Sequence, residues 1–223
     1  MANVKNRSRQ SKKKHRRRRW VLLAATGNRH KVREIARILG RRFRVFGLER
    51  LTEVPRIVER GRTFDANAAI KARCVRDLLR RSRNAPLVHF VAADDSGLQV
   101  ATLGNEPGIR SARYAGPAAD DRANRRKLLR AMQGKKNRSA VFHCTIAVSG
   151  IDGRIRFFRG QVRGRIVREE RGRGGFGYDP VFVPAGYLRT FGELSASTKN
   201  RLSHRARALQ KLKDWFAKQV RGC

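Results

Sequence analysis

Apolar residues in this chain arrive as short runs divided by stretches of helical spacing. "WVLLAAT" (Trp20 to Thr26) has the length of a buried strand, and Val32, Ile35, Ala36 and Leu39 fall on one face of a helix over 31–39. "FRVFGL" (Phe43 to Leu48) is a second strand candidate. Thr63 is placed to cap a helix running to about Arg80, with Asp65 in the first turn, where the helix dipole favours an acid. Val88–Ala93 reads as a strand and Asp121–Met132 as a helix. Ala140–Ser149 and Arg154–Val167 read as strands, and the Asp152-Gly153 pair between them signals a hairpin. Gly172–Gly177 is a flexible loop and Val181–Val183 a short strand. A closing helix spans Ser203–Val220, with Leu209, Leu212 and Phe216 in step. No repeat is evident. Strands alternating with helices, plus a hairpin, predict an α/β fold with a mixed sheet.

Composition narrows the class. At 223 residues the chain is long enough for one domain with a full core, or two lobes around a cleft. The formal charge of +37 is extreme for that length. Residues 1–19 hold 10 Lys/Arg and no acid, so they predict a disordered basic arm ahead of a folded part over 20–223, which still carries +27. Such a field concentrates polyanions: nucleic acid, an anionic membrane or nucleoside polyphosphates. It is equally what an arginine bias on solvated faces would leave. Cys74, Cys144 and Cys223 are odd in number and widely spaced, matching neither a disulfide framework nor a zinc pattern, which points to a reducing compartment. No apolar run approaches the roughly 18 residues that cross a bilayer, and Trp20–Ala25 is too short for the apolar segment of a signal peptide. The expectation is a cytoplasmic protein with no membrane role.

Five stretches can carry chemistry. In "ATGNRHKVREI" a strand turns into a helix, presenting backbone N–H groups and the helix's positive end to one point; Thr26, Asn28 and Lys31 could add donors for a phosphate. By itself the stretch also reads as an ordinary turn. In "TFDANAAIKAR", Asn67 and Lys71 stand four apart and share a helix face. Glu59 just upstream is one of few acids. "ADDSG" sets Asp94 and Asp95 together at the expected end of a strand, tolerable where a divalent cation neutralises them or where one accepts a proton from water; a capped turn is the plain alternative. "GRGGFGYDPVF" offers Phe176 and Tyr178 as flat surfaces for a nucleobase. "STKNRLSHRARAL" puts Lys199, His204 and Arg205 at a helix start, where cations can hold phosphate or read a carbonyl oxygen.

In this order the stretches "ATGNRHKVREI", "TFDANAAIKAR", "ADDSGLQV", "LGNEPGIRSARYAG", "GGFGYDPVF" and "SHRARAL" resemble the inosine triphosphate pyrophosphatase family, of the Ham1 type, over essentially the whole chain after the arm. The resemblance implies an elongated mixed central sheet flanked by helices, two lobes with a nucleotide cleft between them, and a homodimer. It implies hydrolysis of deaminated purine triphosphates (ITP, dITP, XTP) to the monophosphate and pyrophosphate, with Mg²⁺ as cofactor. Carried over by position, Thr26, Gly27, Asn28, Arg29, His30 and Lys31 form the triphosphate loop. Glu59 and Asp95 serve the metal, Asp95 accepts the proton, and Asp94 sits beside it. Ser96 contacts substrate, and Asn67 and Lys71 support the phosphates. Phe176, Gly177, Tyr178, Asp179, Lys199, His204 and Arg205 form the base pocket. Arg29, His30 and Arg60 make this chain more basic at the phosphate end than the family pattern. The rival reading is a nucleic-acid- or ribosome-binding protein that keeps the fold and uses its arm and basic surface. A related Maf-like nucleotide enzyme fits "SHR" and "FGYD" less well.

Overall fold

The computed structural model describes residues 19–221 except 84, 119 and 151, so the predicted arm, Arg19 apart, and Cys223 lie outside the described residues. Six strands form one sheet in the order β2-β1-β3-β4-β5-β6. They are β1 (Trp20–Ala24), β2 (Phe43–Phe46), β3 (Phe90–Val100), β4 (Ser139–Gly150), β5 (Ile155–Ile166) and β6 (Phe182–Pro184). β1 pairs in parallel with β2 on one side and β3 on the other; the remaining pairings are antiparallel. The sheet is therefore mixed, as the alternation of elements predicts.

Helices cover both faces. α1 (Arg29–Leu39) and α5 (His204–Arg221) pack Ile35, Leu39, Leu209, Leu212 and Phe216 against Leu22, Ala92, Ile146 and Phe158. On the opposite face α2 (Phe64–Arg81) lays Ala68, Ala72 and Val75 on Leu23, Val91, Ala93 and Ala147. The small residues of α2 let it lie close to the strands. As expected, Thr63 caps α2, its Oγ1 accepting from the Ala66 N–H at 3.1 Å.

β3, β4 and β5 run 11, 12 and 12 residues, well past the end of β1. Their far halves build a second core, with Leu98, Phe142, Val162 and Ile166 packed on Tyr178, Phe182 and Phe191, on Leu128 of α3 (Asp121–Ala131) and on Met132 just after it. The long strands thus join two lobes, and the end of β1 opens between them.

One expectation is corrected. Asp94 and Asp95 are not at a strand's end: β3 continues unbroken to Val100, paired residue by residue with β4. The Ser96-Gly97 pair reads locally as a turn, but Gly97 is there because backbone passes over it; a Cβ would lie 2.2 Å from the Gly108 carbonyl oxygen. The closing helix expected over Ser203–Val220 is α5, and a short helix not expected from the spacing precedes it. α4 (Ala196–Leu202), capped by Ser195, breaks at the extended Ser203 before α5 begins.

Candidate active site

β1 lies between two parallel neighbours reached by crossovers in opposite directions, so its carboxyl end is the switch point at which α/β sheets commonly bind ligands. The turn that leaves it is ordered by its own side chains. Asn28 caps α1, its Oδ1 accepting from His30 N at 2.9 Å and Lys31 N at 3.2 Å, and Thr26 Oγ1 accepts from Asn28 N at 3.2 Å. Gly27, Asn28, Arg29 and His30 are exposed around the opening.

Just beyond the last β1–β3 pair stand the two adjacent acids. A strand turns successive side chains to opposite faces, and here that separates them. Asp94 faces the α1/α5 layer. It accepts from Lys31 Nζ, from Arg205 Nε at 2.8 Å, from Ser96 Oγ at 2.9 Å and from the Cys144 thiol at 3.2 Å. Complete burial would raise its pKa, but Arg205 and Lys31 outweigh burial and hold the carboxyl well below the usual range. Asp94 is a permanent anion. Burial and the Asp94 charge push the Cys144 thiol well up, and the same guanidinium offsets part of that rise.

Asp95 faces the α2 layer. Its Oδ1 accepts from Lys71 Nζ at 2.6 Å, and the same ammonium reaches Glu59 Oε2 at 3.3 Å. Asp95 Oδ2 is buried without a hydrogen-bond partner. Burial pushes the Asp95 pKa up to about 6 against the pull of Lys71, with the Glu59 charge adding to the rise. Lys71 is raised as well, since Asp95 and Glu59 together overcome its own burial. Asn67 faces the loop rather than this ion cluster: its Oδ1 accepts from Gly61 N at 2.8 Å and so pins the segment that carries Glu59.

The predicted base-pocket residues do not share one environment. Phe176 is at the opening, with His30 at 5.6 Å between ring centroids and Lys199 Nζ 4.5 Å from its centroid. Lys199 donates to Asp179 Oδ2 at 2.6 Å, whose other contact is the Phe176 N–H at 2.7 Å. Gly177, at φ +62°, is held by Asp121 and Arg125 of α3. Tyr178 turns into the second core and donates its hydroxyl to the Ser111 carbonyl at 2.9 Å, so it offers no face at the opening. His204 is buried flat on Phe142, with centroids 4.6 Å apart; burial and then Arg205 drive its pKa well down, so it is neutral.

One participant is absent from the sequence-based set. Glu34, on α1, accepts from Lys199 at 3.0 Å and from Arg205 Nη1, joining the Phe176–Asp179 group to Asp94. Its partners are 165 and 171 residues away. Only the first clue was local: an acid three residues after Lys31 on a helix whose other charges are basic.

The donor set suits a hard divalent cation. Glu59 and Asp95 both reach the Lys71 ammonium, so their carboxylates lie close together, and Asp95 Oδ2 is buried with no hydrogen-bond partner. Among the described residues no three His, Cys, Asp or Glu side chains group as a complete metal cage. Mg²⁺ typically takes one or two carboxylates and fills its shell with water and substrate phosphates, and Glu59 with Asp95 would be that pair.

Comparison with known proteins places the chain. The model of the Ham1 family matches residues 22–215. The chain belongs to the Ham1 family. Among curated relatives, the dITP/XTP pyrophosphatase of Halalkalibacterium halodurans is 42% identical over 200 residues, covering 88% of this chain and 98% of that one. The dITP/XTP pyrophosphatase of Bacillus licheniformis is 43% identical over 194 residues, covering 86% and 95%. The solved Ham1 protein of Staphylococcus aureus superposes with a TM-score of 0.78 at 35% identity, over 89% of this chain and 99% of that one. For a Ham1 chain, the +27 of the folded part is left without an explanation by the site itself, whose cations are matched by buried acids.

Proposed function

We propose that this chain hydrolyses deaminated purine nucleoside triphosphates, ITP, dITP and XTP, to the monophosphate and pyrophosphate, with Mg²⁺ as cofactor. The observation that carries this reading is Asp95: a buried carboxylate at the switch point, one oxygen on Lys71 and the other free. The names of the relatives support the substrate class.

Cleaving the bond between the α- and β-phosphoryl groups requires charge neutralisation, a positioned water and a proton acceptor, with no covalent nucleophile. Lys31 and Lys71 flank β3 from its two faces and exchange carboxylate for phosphate oxygens as substrate enters. Asp95 Oδ2 takes the proton of the attacking water. Glu59 and Asp95 would hold the cation, which supplies further neutralisation of the triphosphate. Asp94, fixed as an anion between Lys31 and Arg205, sets the position of Lys31. On the base side, Lys199 uses two donors on Asp179 and Glu34 and keeps a third for a carbonyl oxygen at the purine 6-position. Adenine would oppose that donor with its amino group and leave it unpaired, which disfavours ATP strongly. A homodimer in the cytoplasm is the expected setting, checked by sedimentation of purified protein and by fractionation of cells.

The test is pyrophosphate release from ITP, dITP, XTP, ATP and GTP, for the parent and for Asp95→Asn. Fast release from the three deaminated purines, little from ATP or GTP, and loss of at least about a hundredfold in Asp95→Asn are expected. A chelator should abolish release and added Mg²⁺ restore it. Equal release from ATP, or an unimpaired Asp95→Asn, would overturn the reading.

A further inference from the structure

One cavity lies away from the paired acids. It is a groove of about 1220 Å³ that wraps the edge of β5 between the start of α2, α4 and α5. β6 pairs with β5 only at Gly164–Ile166, so the stretch before it is an open sheet edge among the described residues. α5 leans over that edge, where Lys211 Nζ donates to the Arg159 carbonyl at 2.8 Å.

Charge on the groove is one-sided. Arg37, Arg159, Arg201, Arg207, Lys211 and Lys213 line it, against Asp65 as the single acid, and Arg159 already neutralises Asp65. Phe64 and His143, stacked with centroids 5.8 Å apart and 12° between planes, give it an aromatic wall. Asn200 also lines it, and its Nδ2 is buried with no hydrogen-bond partner. Beyond the groove the same face of β5 carries exposed Arg163 and Arg165 at alternate positions, extending the positive row along the strand.

We infer that this groove binds a single strand of nucleic acid. Cations tracking a channel, with an aromatic wall on which a base can stack, are the components of sequence-tolerant single-strand binding. The volume exceeds the roughly 300–1,000 Å³ of small-molecule sites. A second copy of this chain fits badly, because a two-fold interface would set arginine against arginine. An anionic membrane fits badly too: the groove is concave, and the exposed large apolar side chains, such as Val54, Leu87 and Leu188, lie outside it. The inference is independent of the hydrolytic reading.

The test uses the full chain and a fluorescein-labelled single-stranded oligonucleotide longer than the roughly 4–16 nucleotides of a comparable site. Arg201→Ser/Arg207→Ser/Lys213→Ser removes three groove cations. Arg122→Ser/Arg126→Ser/Lys136→Ser removes three from α3 and its following loop and leaves the net charge equal. The groove variant should lose about tenfold or more in affinity, and the slope of log K against log salt should fall by about 2, while the α3 variant stays close to the parent. Ellipticity and pyrophosphate release should match the parent in both variants. Equal weakening in the two variants would mean a bulk charge effect and would overturn the site. Tighter binding to duplex, to phosphatidylserine vesicles, or to inorganic polyphosphate at equal phosphate would overturn the single-strand assignment.

Discussion

At the scale of single residues, the site depends on matching each buried charge with one on a distant element. Glu34 shows the cost of removing one. Its carboxyl is held below its usual range because Arg205 and Lys199 outweigh burial. A group depressed in the folded state stabilises it fully above its unfolded pKa of about 4.3 and loses that contribution as pH falls through the folded value. Glu34→Gln should therefore cost about 2–3 kcal/mol near pH 7, since it leaves two buried cations underpaired. Denaturant melts of the two proteins should converge as pH drops below about 4; a constant gap would mean that Glu34 acts by packing alone. Gly97 makes a different demand. With Gly108 backbone and Phe64 against it, Gly97→Ala has no room and should destabilise by about 1–3 kcal/mol, read as a lower Tm. Both Asp residues stand out as candidate site residues because acids are scarce in this chain. Their separation onto two faces was not legible, because Ser96-Gly97 imitates a turn and only the β4 pairing reveals the strand.

At the scale of elements, hydrophobic spacing located every strand of the sheet and four of the five helices, since each buries a continuous apolar stripe or run. α4 escaped because it is short, polar and held at its start by Ser195, which accepts from Thr198 N at 3.2 Å. It nevertheless delivers Lys199. Ser195→Ala should loosen that turn and raise KM for the deaminated triphosphates more than it lowers kcat. An unchanged KM would detach Lys199 from substrate recognition. α2 tests the same logic with a plain cap. Thr63→Ala should cost about 1 kcal/mol and lower Tm by about 2–4 °C in a chain of this size.

At the scale of the whole molecule, charge is the property the site leaves unused. The family match begins at residue 22, so the arm stands outside it. Deleting residues 1–19 should spare pyrophosphate release and weaken any binding of nucleic acid. Loss of hydrolysis on deletion would mean that the arm takes part in catalysis. The groove on β5 could not be read from the sequence. Its cations come from α1, β5, α4 and α5, and only the topology that folds α5 across the β5 edge gathers them.

Asp94 and Asp95 differ in role only because one has even and the other odd parity along β3. Inserting one residue between Ala92 and Asp94 would exchange them: the acid meant for Arg205 would face Lys71, and the one meant for Lys71 would face Arg205. No local adjustment restores the assignment, because both helix layers are fixed by their own cores. The stretch from Phe90 to Ser96 is therefore intolerant of any odd change in length. The loop between α2 and β3, whose Leu87 is open to solvent, can absorb additions without disturbing which acid meets which cation.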